Sequence, residues 1–128
     1  MKKPISIAFI VTCCLVMTAL IMNPVTAQKT GGGGKPIPDS IMKIAEKSCV
    51  RCHTEPGDFM AISHLNLSNW GKYSPEKQAS KAKDMCNMVM KDKMPPKNFR
   101  NNHPDGVPSS AETKTICGWA QALQVPKK

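Results

Sequence analysis

Apolar residues recur at helical spacing in three stretches of the chain, each preceded by residues that favour a helix start. The first predicted helix covers residues 41–48, with Asp39 or Ser40 as its cap. The second starts after Ser74, where a proline occupies the first helical position. The third starts after Ser109, in a capping box of the form Ser-x-x-Glu. The pattern therefore predicts three main helices.

The apolar faces of these helices are predicted to pack into one core. Their members, helix by helix, are Ile41, Ile44 and Ala45; Ala79, Ala82, Cys86 and Val89, with Met85 and Met88 beside them; and Ile116, Trp119, Ala120 and Leu123. Residues 54–70 and 91–108 are rich in turn residues and are predicted as loops. Because no alternating strand pattern of useful length occurs, the predicted fold class is all-α.

An apolar run begins almost at the N-terminus of this 128-residue chain. It covers residues 5–22, follows Lys2 and Lys3, and is succeeded by small residues up to Ala27. This order is typical of a secretory signal peptide, so residues 1–27 are predicted to be removed on export. The alternative is an uncleaved membrane anchor through the same apolar run, whose length approaches that of a spanning helix. Both interpretations place the rest of the chain in the periplasm or otherwise outside the cytoplasm.

Residues 28–38 contain four consecutive glycines and then two prolines, and are predicted to form a flexible tether. The predicted folded domain covers residues 39–128, which is enough for one small domain. A domain with a core of this size usually needs an additional stabilising element, such as a covalent cofactor.

The chain is basic, with a formal net charge of +9 that falls to +7 without Lys2 and Lys3. A basic surface of this size predicts steering towards acidic partners or anionic membrane surfaces. A generally solvated basic surface is the alternative. Nucleic acid is not an expected partner, because the chain lacks a basic motif interleaved with aromatic residues.

Cys49, Cys52 and His53 form the sequence Cys-x-x-Cys-His. Two cysteines at this spacing can bond to the two vinyl groups of one porphyrin, and the following histidine can bind the iron. The motif therefore predicts one covalent haem c, with His53 as the proximal iron ligand. A redox-active dithiol and a zinc site are the rival interpretations. They are disfavoured because no βαβ pattern surrounds the motif, and because Cys86 and Cys117 are not spaced as a second metal-binding pair.

A haem that transfers electrons needs a second axial ligand. Met94 is the predicted distal ligand, because the two prolines after it hold the backbone rigid and a thioether stabilises ferrous iron. The competing candidates are Met60, Met85, Met88, Met90, His64 and His103. Of these, Met85 and Met88 are expected in the core, and the two histidines are expected to form hydrogen bonds in loops.

Cys86 and Cys117 are the two cysteines of the predicted domain that the haem motif does not use. They lie in the second and third predicted helices and would meet if those helices pack together. An oxidising compartment favours a disulfide between them. Two buried free thiols are the alternative.

Residues 41–124 resemble the small single-haem, cytochrome c-like haem-binding domains of exported bacterial proteins. The segments that carry the resemblance are residues 49–53, 64–70, 94–96, 103–104 and 109–119. The resemblance implies a class I cytochrome c-like helical domain wrapped around one haem c. It also implies that Cys49 and Cys52 hold the haem and that His53 and Met94 are the iron ligands.

Electron transfer is the function that the resemblance implies. The protein would carry single electrons between redox partners, with no catalytic residue beyond the iron ligands. One alternative is a haem enzyme, or a gas or redox sensor, with an open distal site. Another is a haem module tethered to a larger respiratory complex. A peroxidase would need a distal acid–base pair, which the spacing of His64 and His103 does not indicate.

Overall fold

The computed structural model of the protein describes residues 33–124. This part of the chain is helical and contains no strand, so the predicted all-α class is confirmed. Its α-helices are α1 (Asp39–Ser48), α2 (Val50–His53), α3 (Phe59–His64), α4 (Pro75–Met90), α5 (Lys97–Asn102) and α6 (Ser110–Ala122). The 3₁₀ helices are Leu67–Lys72 and Pro104–Gly106.

The starts of α4 and α6 follow the sequence signals. The Ser74 hydroxyl accepts a hydrogen bond from the N–H of the third residue of α4. Ser109 and Glu112 form both hydrogen bonds of the predicted capping box at the start of α6. Both helices therefore begin where local side-chain chemistry satisfies the free N–H groups of a first turn.

Helix α1 has a different start. The prediction that Asp39 or Ser40 caps it is wrong, because both lie inside the helix and Pro38 is the N-cap. The Pro38 carbonyl accepts the N–H groups of Ile41 and Met42, each at 2.9 Å. Asp39 still favours this end of the helix, since its carboxylate lies in the first turn, near the positive end of the helix dipole.

The core lies where α4 and α6 make the largest helix–helix contact of the described chain, with α1 and the first 3₁₀ helix beside them. Its buried residues are Ile41, Ile44, Ala45, Leu65, Leu67, Trp70, Ala82, Met85, Ile116 and Ala120. Other residues predicted in the core are only partly buried against this cluster, namely Cys86, Val89, Trp119 and Leu123. The prediction for Met88 is wrong, because its side chain is exposed.

Both segments predicted as loops contain helices. Residues 54–70 include α3 and the start of the first 3₁₀ helix, and residues 91–108 include α5 and the second. These helices have six residues or fewer, so an apolar repeat of helical period is not recognisable in them. A local side chain begins α3, since Asp58 accepts a hydrogen bond from the Ala61 N–H.

Residues 33–38 form neither helix nor strand, and Ile37 of this segment packs against the core. The Lys35 carbonyl accepts hydrogen bonds from Trp70 Nε1 and Gln78 Nε2, both at 3.0 Å. The C-terminal part of the predicted tether is therefore held by two side chains of the domain.

The remaining predictions for the N-terminus lie outside the described residues. These are the signal peptide or anchor over residues 1–27, with its apolar run at 5–22, and residues 28–32 of the tether. Between residues 33 and 124, no helix is both long and apolar enough to cross a membrane.

Candidate functional site

The Cys-x-x-Cys-His motif lies at the junction of α1 and α2. The Cys49 N–H donates to the Ala45 carbonyl at the end of α1. The Cys49 carbonyl accepts the N–H groups of Cys52 and His53, at 3.1 and 2.9 Å. Residues 49–53 are thereby wound into one helical turn that carries two thiols and an imidazole.

Both motif cysteines have free thiols in the described chain, and both are half-buried. Burial, reinforced by the neighbouring Cys52 sulfur, raises the pKa of the Cys49 thiol to about 11. Reactive dithiols of the Cys-x-x-Cys type instead have a lowered thiol pKa, because the thiolate is the nucleophile. The environment of Cys49 therefore disfavours the redox-dithiol interpretation.

A backbone carbonyl holds the ring of His53. The Nδ1 atom lies 3.0 Å from the carbonyl oxygen of Leu65, and the contact is partly buried. Because a carbonyl oxygen only accepts hydrogen bonds, Nδ1 carries a hydrogen, and in the neutral imidazole the lone pair is then on Nε2. This is the tautomer in which a histidine binds a metal ion through Nε2.

The chain next to this carbonyl is tightly held. Asn66 is buried, its Nδ2 donates to the Glu55 carboxylate at 2.7 Å, and its backbone N–H donates to the Tyr73 hydroxyl at 3.1 Å. The Asn66 Oδ1 is buried with no hydrogen-bond partner among residues 33–124. This buried acceptor lies next to Leu65, whose carbonyl holds His53, and a water molecule or a bound group could donate the missing hydrogen bond.

Three residues of this arrangement, Glu55, Leu65 and Tyr73, were not predicted from the sequence. Leu65 contributes its backbone carbonyl, and a backbone atom leaves no residue-type signal. Tyr73 contributes a hydroxyl, and the available signal was that it is the only tyrosine of a chain with 5% aromatic residues.

Met94 lies in the turn that follows α4. Its N–H donates to the Met88 carbonyl at 3.2 Å, and Pro95 after it is buried. The Met94 side chain is 39% exposed. The backbone is thus fixed on both sides of a methionine whose thioether remains partly accessible.

A cavity of about 420 Å³ lies beside Met94, between the end of α4 and the start of α6. Its wall combines apolar side chains and the hydroxyls of Ser110 and Thr113 with charged side chains of both signs, namely Arg100, Lys114 and Asp92. In the described chain, neither His53 nor the motif cysteines line this cavity. The structure therefore does not join Met94 and His53 in one pocket.

The competing distal candidates are differently placed. Met60 and Met90 are more exposed than Met94, at 63% and 65%. Met85 is buried in the core, whereas Met88 is exposed. His64 is exposed at the end of α3, and His103 is hydrogen-bonded to Arg51.

Cys86 of α4 and Cys117 of α6 form a disulfide. Their Cα atoms are 4.8 Å apart, and they are separated by 31 positions in the sequence. The bond crosslinks the two helices that make the largest contact in the core. Cys117 also lines the cavity beside Met94.

Comparison with known families adds to this geometry. Residues 60–122 match the family model of the Haem-binding domain. The match supports a haem-binding family, and haem as the bound group, for a stretch that includes Met94 and begins after His53. No curated protein and no solved structure matched the chain.

The residues present fit a haem group. Cys49 and Cys52 offer two free thiols from one helical turn, and the disulfide leaves them unpaired. In the same turn, His53 offers Nε2 in the metal-binding tautomer. This is the donor set by which haem is attached covalently and held by a proximal histidine.

Proposed function

We propose that this protein is a c-type cytochrome with one haem, which carries single electrons between redox partners outside the cytoplasm. When bound, haem supplies a one-electron couple between ferrous and ferric iron. The observation that carries the proposal is the hydrogen bond from His53 Nδ1 to the Leu65 carbonyl, beside the two free thiols of the same turn. It orients an imidazole for iron where two sulfurs can hold the porphyrin.

Cys49 and Cys52 would hold the haem through thioether bonds, which makes the cofactor part of the chain. Cys49 packs against the core cluster, so the attached group would extend that cluster. A small domain with a modest core is stabilised by such an addition.

Met94 is the proposed distal ligand. Its backbone is fixed by the hydrogen bond to Met88 and by the buried Pro95, and a thioether ligand favours the ferrous state. If His53 and Met94 both bound the iron, no open position would remain there for a substrate. An electron carrier, and not an enzyme, is the function that follows.

The expected partners are redox proteins with acidic docking surfaces. Lys91, Lys93 and Lys97 are exposed around Met94, and they contribute to the positive charge of the chain. Export through residues 1–27 would place the protein in the periplasm, and retention of the apolar run at 5–22 would tether it to the membrane.

Covalent attachment is tested by expressing the full chain with haem-maturation machinery and recording the pyridine haemochrome spectrum. The wild type is expected to show two thioether bonds, and Cys49→Ser and Cys52→Ser one each. The control is the double variant Cys86→Ala/Cys117→Ala, which should still show two. A wild type without covalent haem would refute the proposal.

Distal ligation is tested with Met94→Ala, and Met90→Ala is the matched control because it lines the same cavity. Only Met94→Ala should lose the weak long-wavelength band between sulfur and ferric iron, and only its reduced form should bind carbon monoxide readily. Ready binding by the reduced wild type at neutral pH would instead favour an enzyme or a sensor with an open distal site.

A further inference from the structure

The carbonyl that holds His53 belongs to a peptide group that is hydrogen-bonded at both ends. Its oxygen, on Leu65, accepts from His53 Nδ1 at 3.0 Å. Its N–H, on Asn66, donates to the Tyr73 hydroxyl oxygen at 3.1 Å. The three groups form one chain, from the imidazole through a single peptide unit to the phenol.

Hydrogen bonds in such a chain strengthen one another. When a peptide N–H donates, electron density moves towards the carbonyl oxygen of the same peptide, which becomes a stronger acceptor. Leu65 and Asn66 are both buried, so water screens the effect only weakly. The Tyr73 hydroxyl thereby strengthens the pull of the Leu65 carbonyl on the Nδ1 hydrogen of His53.

Tyr73 is itself held in place. Its N–H donates to the Trp70 carbonyl at 3.1 Å, and the two rings pack edge to face with centroids 5.9 Å apart. The Lys77 Nζ lies 4.6 Å from the centroid of the Tyr73 ring. The phenol is therefore fixed independently of its contact with Asn66.

We infer that Tyr73 is a positioning residue for the proximal ligand, acting on His53 through the peptide between Leu65 and Asn66. It holds the Nδ1–H tautomer and increases the electron density at Nε2. An electron-rich imidazole stabilises ferric iron, so Tyr73 lowers the reduction potential of the haem. The effect on iron depends on the proposed function, whereas the effect on the His53 ring does not.

The test is Tyr73→Phe, which removes only the hydroxyl. Ser68→Ala is the control, because Ser68 lies in the same segment but accepts from the Glu55 N–H. At the midpoint potential of the wild type, the ferrous-to-ferric ratio of the Tyr73→Phe holoprotein should rise about threefold. This corresponds to roughly 30 mV at 59 mV per tenfold change. The ratio for Ser68→Ala should stay near one.

A second measurement does not need the haem. In the full chain produced without haem attachment, ¹⁵N shifts of the His53 ring give the ratio of the Nδ1–H to the Nε2–H tautomer. Tyr73→Phe should lower this ratio by about 1.5-fold, because one hydrogen bond strengthens the next in a chain by roughly 10–30%. If the wild type attaches no haem, the proposed function fails, and the tautomer ratio alone decides the role of Tyr73.

A third measurement replaces Tyr73→Phe if that variant does not fold. Tyr73 is the only tyrosine, so incorporation of 3-fluorotyrosine modifies this position alone and makes its oxygen a weaker acceptor. The potential and the tautomer ratio should then shift in the same directions as in Tyr73→Phe, by less. An unchanged tautomer ratio, or an equal shift in Ser68→Ala, would overturn the inference.

Discussion

The Nη1 atom of Arg51 donates a 2.9 Å hydrogen bond to Nε2 of His103, across 52 positions of sequence. Arg51 lies inside the Cys-x-x-Cys-His motif, and His103 follows α5, just beyond Met94. A second bond joins the same regions, since the Ser48 hydroxyl donates to the buried Gly106 carbonyl at 2.7 Å. The turn that carries His53, the proposed proximal ligand, is thus hydrogen-bonded to the segment that follows Met94, the proposed distal ligand.

Removal of the Arg51 side chain should measure how much the hydrogen bond to His103 stabilises the fold. We expect Arg51→Ala to lower the free energy of unfolding by about 0.5–1.5 kcal/mol, because one hydrogen bond between long-range partners is lost. Arg100→Ala is the control, since its guanidinium lies 3.8 Å from an Asp92 carboxylate that is 83% exposed. Urea unfolding should show a smaller loss for the control, and equal losses would contradict the prediction.

The stability of the protein should fall in acid partly through Glu112. The Lys47 ammonium and the Ser109 N–H lower the pKa of this carboxyl below its ordinary value of 4.5. Because the folded pKa lies below the unfolded one, the stabilisation is present above pH 4.5 and is lost as the pH falls through the folded value.

The urea midpoint of Glu112→Gln should therefore fall less than that of the wild type as the pH is lowered from about pH 7 to about pH 3. Glu46→Gln is the control, since it removes an exposed carboxylate from the helix that carries Lys47 but makes neither contact. A wild-type slope in Glu112→Gln would be inconsistent with the capping box and the ion pair.

The disulfide between Cys86 and Cys117 should contribute strongly to stability. Closing a loop of 31 positions restricts the unfolded chain, and the chain-entropy estimate is roughly 3–4 kcal/mol. The double variant Cys86→Ala/Cys117→Ala should have a free energy of unfolding lower by this amount, measured by urea unfolding. Reductant should destabilise the wild type and leave the double variant unchanged, and a wild type that is insensitive to reductant would exclude the effect.

Gly34 should be intolerant of a side chain. An added Cβ would lie 2.2 Å from Cδ and Nε2 of Gln78, whose amide donates to the carbonyls of Lys35 and Trp70. Displacing this buried amide should cost about 1–3 kcal/mol in Gly34→Ala.

Gly118→Ala is the control for this substitution. Nothing lies within 4 Å of its added Cβ, and Gly118 is inside α6, so alanine should stabilise by about 0.5–1 kcal/mol. If thermal unfolding shows the same change for both variants, Lys35 is not held by Gln78 in solution.

The sequence by itself determined the elements whose signals are local. Serine caps predicted the starts of α4 and α6, because a cap acts within four residues. The apolar repeat predicted most of the core, including Ile116 at 1% exposure, because the helical period is fixed by backbone geometry. The motif of residues 49–53 predicted haem chemistry, because the spacing of the donor atoms is itself part of the sequence.

Only the tertiary structure decided what depends on atoms far apart in the chain. The Leu65 carbonyl that orients His53 is a backbone atom common to every residue type, so no sequence pattern identifies it. The helices α3 and α5 are too short for a periodic signal, and neither has a buried residue that a pattern of apolar positions could have marked. The attachment of Lys35 to Trp70 and Gln78 likewise needed the folded arrangement, because these residues meet only after the core has formed.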